Sequence, residues 1–348
     1  MGEAVLVFPA GMPEGLAYRD RAKAAGLRVV GASSLDRDPA EGGYEAWERL
    51  PHVDDPGFDL AFADLVRRHG VGAIHAPHYV VWKHLSQRLA DLAPGASLTH
   101  ESTPRDNQIA YQTLSDRVAS DHGPRFWPAL PPKLSLSPLQ RAGLVRLAET
   151  IPGTCAESKM LAVIEAMRHA PAGDVVEIGS WCGRSAALLV WLARCYQIGK
   201  VLCVDPWPQG DLTQDGRGGA EDVLSIFQIN LAPLALGDLN YIRATSLEAA
   251  ARYRPGLTVA TEAFGKVGYE GRIALLHLDG DHAESDCARD AAAWTPHVVP
   301  GGWIIFDDYE RAFGDGPKVV ADAFVAANQA RIAAHFKAGE SLFVQLKR

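Results

Sequence analysis

The chain has 348 residues, 47% of them hydrophobic and 22% charged, with a formal net charge of −8. That is enough apolar chain for roughly two domains of about 150 residues, so wholesale disorder is excluded. The acidic balance also argues against a nucleic-acid backbone as the main partner. No apolar run reaches the ~20 residues of a membrane span; the longest, Ala186–Val204, is broken by Arg194 and Lys200. The start lacks a basic region ahead of an apolar one, so no secretory signal is expected. Five cysteines without a CxxC spacing suit a reduced, cytoplasmic compartment.

In chain order, Ala4–Phe8 reads as a short apolar strand, followed by a turn with Gly11 and Gly15, a helix over Leu16–Ala25 and a strand over Leu27–Ala32. A helix over Asp59–His69 closes at Gly70, and Val71–Ala76 forms the next strand, with His75 and His78 at its end. This alternation predicts a parallel, doubly wound sheet over residues 1–125. The proline-rich stretch Phe126–Pro138 breaks helix and sheet alike and is expected as a linker to a second domain over 139–348. The first stretch, carried by Val5–Gly15, Val29–Ser34 and Leu50–Ile74, resembles the pre-ATP-grasp domain of carboxylate-amine ligases. The ATP-binding domain that would follow is not found in the sequence, so no ligase chemistry is implied.

The second part opens with a helix over Ser158–His169. The strand Asp174–Ile178 then runs into Gly179-Ser180-Trp181-Cys182-Gly183-Arg184-Ser185, from which a helix continues through Cys195. Glycines there let a backbone approach a ligand, and free N–H groups at the helix start can receive a carboxylate or phosphate. The G-x-x-x-G spacing differs from the nicotinamide-binding turn. Glu177 would repel a pyrophosphate and suit an ammonium group. A second strand, Lys200–Val204, ends at Asp205, an acid placed as ribose-binding acids are. Further strands are expected at Tyr241–Arg243, Ile273–Leu278 and Trp303–Phe306, then a hairpin of Ala330–His335 and Ser341–Leu346. Pro206–Gly219 reads as a lid over the site.

Strands four and five end in Leu278-Asp279-Gly280-Asp281-His282 and Phe306-Asp307-Asp308-Tyr309. Adjacent parallel strands end ~5 Å apart, so these aspartates share a cleft and repel one another unless a cation sits among them. An oxygen donor set suits a hard divalent ion such as Mg²⁺.

This order of βα units and a hairpin resembles the S-adenosylmethionine-dependent methyltransferase fold, a Rossmann-like α/β architecture, through VVEIGSWCGRSA and VLCVDPW. The pair LDGDH and FDDY is similar to the metal-dependent macrocin and sugar O-methyltransferase group, relatives of cephalosporin hydroxylase-like proteins. The resemblance implies S-adenosylmethionine bound by Glu177, Gly179, Ser180, Gly183, Ser185, Asp205, Ser246 and Asp279. It implies Mg²⁺ on Asp279, Asp307 and Asp308, with Asp281 as general base and His282 as its competitor. The implied partner is a small hydroxyl-bearing acceptor, with neither nucleic acid nor membrane, and related sugar methyltransferases are often homo-oligomers. Two alternatives stand beside this reading: other metal-dependent chemistry of the hydroxylase-like branch, and a non-catalytic nucleotide- or cofactor-binding protein.

Overall fold

The structure, a computed structural model, describes residues 4–100, 106–121, 123–124, 126–207, 220–310 and 314–348. By its internal contacts the chain divides into two units, Met1–Thr113 and Leu114–Arg348. No helix among the described residues is long and apolar enough to cross a membrane.

The first unit carries strands β1 (Ala4–Val7), β2 (Arg28–Ser33), β3 (Ala46–Arg49), β4 (Val71–His75) and β5 (Ser97–Leu98), with helices α1 (Pro13–Ala24), α2 (Phe58–His69) and α3 (Tyr79–Leu92). The order across its sheet is β3-β2-β1-β4-β5, and every pairing is parallel. β1 is central and buried along its whole length, as its unbroken apolar sequence requires of a strand covered on both faces. Helix α2 places Phe58, Phe62, Leu65 and Val66 on its buried face, the spacing of an amphipathic helix. Gly70 ends it at φ 61°, the left-handed conformation that suits a glycine after a helix. The expected first helix starts earlier, at Pro13, because proline is favoured in a first turn. His75, at the end of β4, stacks on Tyr18 with 4.0 Å between centroids, and its Nδ1 lies 2.8 Å from Thr99 Oγ1. Burial, then the charges of His100 and Arg21, hold its pKa down at about 4.

Helix α4 (Asp106–Ser120) leads into the second unit. That unit contains α5 (Pro138–Glu149), α6 (Glu157–Arg168), β6 (Asp174–Ile178), α7 (Arg184–Cys195), β7 (Val201–Asp205), α8 (Ala220–Ala235), β8 (Leu239–Arg243) and α9 (Ser246–Arg252). It continues with β9 (Thr258–Thr261), β10 (Gly265–Gly268), β11 (Ile273–Leu278), α10 (Glu284–Trp294), β12 (Val298–Phe306), α11 (Gly316–Asn328), β13 (Ile332–Ala338) and β14 (Ser341–Leu346). The seven-stranded sheet runs β13-β14-β12-β11-β6-β7-β8. Its β12-β11-β6-β7-β8 part is parallel, and the β13-β14 hairpin joins it antiparallel. Strands β9 and β10 form a separate antiparallel pair. The expected α/β architecture is therefore present twice.

Strand β12 begins at Val298, five residues before the expected start at Trp303. Its partner jumps from Val298 at Ile273 to Trp303 at Leu275, so Pro300, Gly301 and Gly302 are absorbed by a bulge. The proline-rich stretch is docked on the second unit. Ala129 N donates to Gln345 Oε1 at 2.9 Å, and Lys133 N donates to Arg168 O at 3.0 Å. Phe126 stacks with Phe336 and meets Trp303 edge-on.

Phe126→Ala should lower stability against urea by about 1–3 kcal/mol and speed proteolysis within 126–138; a freely mobile linker would show neither change. His75 has a folded pKa below its ordinary 6.5, so its contribution is full above 6.5 and is lost as pH falls toward about 4. Hydrogen exchange at β1 and β4 should weaken over that range, by on the order of 1–2 kcal/mol after allowing for partial exposure, and His75→Phe should flatten the slope.

Candidate functional site

Three strands of the second sheet end in register. Ile178, Leu278 and Phe306 lie side by side, so the residues after them, Gly179, Asp279 and Asp307, emerge together. Asp279 N donates to Ile178 O at 2.8 Å, and Asp307 N donates to Leu278 O at 2.9 Å. Gly179 sits at φ 81°, where a Cβ would lie 1.8 Å from the carbonyl oxygen of Asp279. No other residue allows β11 to approach the turn so closely. Gly183, at φ 91°, faces Leu231 at 2.3 Å from where its Cβ would be, so it sets the packing of α7 on α8.

Asp205 ends β7. Its Oδ2 accepts from Ser180 N and Trp181 N, both at 3.0 Å, and its Oδ1 from Trp207 N at 2.7 Å. It thus ties the second strand end to the glycine turn. Burial raises its pKa against the pull of these three N–H groups. Ser185 lies in the first turn of α7. Ser246 opens α9, and its Oγ accepts from Trp294 Nε1 at 2.9 Å. Of the expected lid, residues 208–219 lie outside the described residues.

Glu177 is placed differently from its expectation. It is fully buried, and both carboxylate oxygens are engaged. Ser180 Oγ donates to Oε2 at 2.6 Å, while Oε1 lies 3.1 Å from His277 Nδ1. The cause is register: Glu177 is paired across the sheet with His277 on β11 and Cys203 on β7, so its side chain points into the interior. Burial alone would raise its pKa, but His277 and the serine hydroxyls carry it below the usual carboxylate range. Nδ1 of His277 is the donor to this carboxylate. Its Nε2 is buried without a well-aligned hydrogen-bond partner; it faces Asp307 Oδ2 at 3.4 Å and Asp279 Oδ2 at 3.9 Å.

The aspartates divide into two overlapping clusters, His277–Asp279–Asp307 and Asp279–His282–Asp308. Asp307 pairs with Lys159 of α6, a lysine whose side chain is only 4% exposed, and accepts from Ser341 Oγ of β14 at 2.5 Å. Burial would raise the Asp307 pKa; Lys159 and His277 outweigh it and keep the carboxylate ionised. Asp279 goes the other way: burial and the charge of Asp307 push it well above the carboxylate range. Asp308 adopts φ 51°, a conformation Asp tolerates better than most, and its Oδ2 lies 2.5 Å from His282 Nε2. Asp281 is exposed, and its Oδ1 accepts from Ala283 N at 2.8 Å. Of the two base candidates, it is His282 that faces the acids.

The expected ligand set is not gathered at one point: Asp279 belongs to both clusters, Asp307 to one and Asp308 to the other, and Asp307 is already engaged by Lys159 and Ser341. One acid is held ionised by a lysine, its neighbour is strained by the resulting repulsion, and an orphaned imidazole nitrogen faces both. A cation would relieve the repulsion. Sequence reasoning missed Lys159, His277 and Ser341. A lone histidine in the apolar strand ALLHL and a lysine in the helix ESKMLAVIEAM were the available signals.

Lys159→Met should cost about 3–5 kcal/mol in urea unfolding with EDTA present, because it strands a buried carboxylate. Adding Asp307→Asn should restore most of that loss. Additive losses in the double variant would show that the pair is uncoupled.

Residues 176–309 match the family described as "Methyltransferase domain". Among curated proteins, the chain is similar to mycinamicin III 3''-O-methyltransferase of Micromonospora griseorubida, 28% identical over 159 residues, which are 42% of this chain and 59% of that protein. The chain thus spans under two thirds of the curated relative's length. Similar solved structures include the O-methyltransferase NovP (16% identity, 69% of this chain and 98% of that one, TM-score 0.37). The calicheamicin methyltransferase CalS11 is another (13%, 71% and 94%, TM-score 0.41). A third is the MycE methyltransferase from the mycinamycin biosynthetic pathway in complex with Mg and SAH (15%, 59% and 54%, TM-score 0.37). Residues 176–309, which match the methyltransferase domain family, carry the glycine turn and every strand-end acid of the site.

Proposed function

We propose that this protein is an S-adenosylmethionine-dependent O-methyltransferase acting on a hydroxyl-bearing small molecule of the natural-product sugar type. The observation that supports this reading is the in-register set of strand ends, at which Asp279 abuts the glycine turn after β6 and Asp307 and Asp308 follow the neighbouring strand β12. The matched domain and the curated relative support it.

In this reading the donor lies across the ends of β6 and β7. Ser180, Gly183 and Ser185 offer the backbone and hydroxyl groups of the α7 N-terminus to its carboxylate. Asp205 serves the ribose, and Ser246 flanks the adenine. Glu177 acts from inside, by holding Ser180 and His277 in place. Asp279, Asp307 and Asp308 would hold a divalent cation, which supplies Lewis acidity that makes an acceptor hydroxyl easier to ionise. Lys159 and Ser341 keep Asp307 deprotonated and aimed.

His282 is the general base, oriented by Asp308, and Asp281 caps the start of the loop to α10. The acceptor oxygen forms a bond to the methyl carbon as the carbon–sulfur bond breaks. The hydroxyl proton passes to His282, and the sulfur leaves as a neutral thioether. Positioning the two reactants supplies much of the rate.

The test is turnover of S-adenosylmethionine with a panel of glycosylated hydroxyl acceptors, followed by product mass. A gain of one CH₂ unit is expected, with turnover lost in EDTA and restored by Mg²⁺. His282→Gln should lower kcat by about 10²- to 10⁴-fold while S-adenosylhomocysteine binding is retained. A gain of one oxygen would assign the protein to the hydroxylase-like branch instead, and undiminished turnover in excess EDTA would remove the metal.

A further inference from the structure

The first unit contains a cavity of about 490 Å³, within the range of small-molecule sites. It lies where the loops after β1, β2 and β4 converge, formed in part by Phe8, Ser33 and His78. β1 has β2 on one side and β4 on the other. This is the point at which the winding of the sheet reverses, where ligands enter open α/β sheets. The methyltransferase reading makes no use of this cavity, which is formed wholly by residues 8–81.

The lining favours a particular chemistry. Its walls are apolar at Phe8, Val53 and Val81, of which Phe8 is 1% exposed. Its polar groups include Ser33, Ser34 and two carboxylates, Asp38 and Asp54, and no lysine or arginine lines it. Asp38 is a mostly buried acid, 9% exposed. Its Oδ1 accepts from Ala40 N at 3.0 Å. It also rests on the glycine turn after β1: a Cβ on Gly11 would lie 2.6 Å from both of its oxygens. An acid that follows the second strand and touches the first glycine turn is placed to accept from a vicinal diol. With no lysine or arginine in the lining, only His52 and His78 could offset the charge of a phosphate, which the two acids would oppose.

We propose that this cavity is a binding site for a nucleoside-class ligand, a flat heterocycle bearing a ribose-like diol and no phosphate. Asp38 accepts from the diol, and the apolar walls cover the ring. The site belongs to the first unit alone and does not depend on methyl transfer.

Adenosine, guanosine, cytidine and uridine are titrated calorimetrically into the full chain, with S-adenosylhomocysteine in excess to fill any adenosine site of the second unit. At least one nucleoside should bind with a Kd of about 1 mM or tighter, and its 5′-monophosphate at least about fivefold more weakly. Asp38→Asn keeps the acceptor for Ala40 but removes the charge. Val80→Trp fills the mouth of the cavity from a residue already 40% exposed. Each should weaken nucleoside binding about tenfold or more and leave S-adenosylhomocysteine binding unchanged. These variants assign the heat to the first unit even if S-adenosylhomocysteine does not bind, so a failed methyltransferase assay and a failed nucleoside site are told apart. The proposal is overturned if none of the four nucleosides binds at about 5 mM, if the monophosphate binds as tightly as the nucleoside, or if neither variant moves the affinity.

Discussion

The ion pair between Lys159 and Asp307 sets the charge of the acid cluster in the second unit. A buried ammonium and a buried carboxylate each cost several kcal/mol to dehydrate, and they persist here because each is the other's partner. The pair fixes Asp307 as an anion. That anion acts on Asp279, which lies on the neighbouring strand end, and on the unpaired nitrogen of His277. His277 in turn holds Glu177, and Glu177 holds Ser180 in the glycine turn. One ion pair is thus linked, through three strand ends, to the backbone that would meet a cofactor.

The glycine turn is constrained from two further sides. Asp205 binds two of its N–H groups from the β7 end. The carbonyl of Asp279 presses against Gly179 from the β11 end. Few substitutions could leave the cluster intact, because its members touch through backbone as well as side chains. The acids are also unequal. Asp307 is stabilised in its charged form, Asp279 is destabilised in it, and Asp308 reaches His282 through a left-handed backbone turn. The same residue type therefore serves different ends within a few ångströms, and environment decides which.

Much of this was legible in the sequence. The apolar runs DVVEI, VLCVD and IALLHL read as strands because buried parallel strands are continuously hydrophobic, and the acids that end them were visible as candidates. The direction of a side chain was not legible. Glu177 reads as a ligand-facing acid by position, yet strand alternation turns it to His277, and only the register shows that. Lys159 was invisible for a related reason. It lies about 150 residues before its partner, in a helix where a lysine normally reads as a solvated residue. Short elements were lost as well: β3, β5 and the β9–β10 pair lack the length for a periodic signal. In the first unit, the glycines after β1 showed a turn, but no spacing rule could show that Asp38 folds back onto Gly11.

The β13–β14 hairpin brings Ser341 to Asp307, and its turn at Gly339 lies over the start of α6, 3.1 Å from Lys159 Cβ to where a Cβ would be. Strand β14 is inserted between β12 and β13 in the sheet although it follows both in the chain. A ribosome therefore releases Lys159, the glycine turn and all four aspartates before the strand that completes their surroundings. Until β14 arrives, β12 is an open edge and the acids next to it lack the Ser341 hydroxyl. β14 also supplies Phe343 to one hydrophobic cluster of the second unit and Leu342, Val344 and Leu346 to the other, so core and site are completed by the same strand.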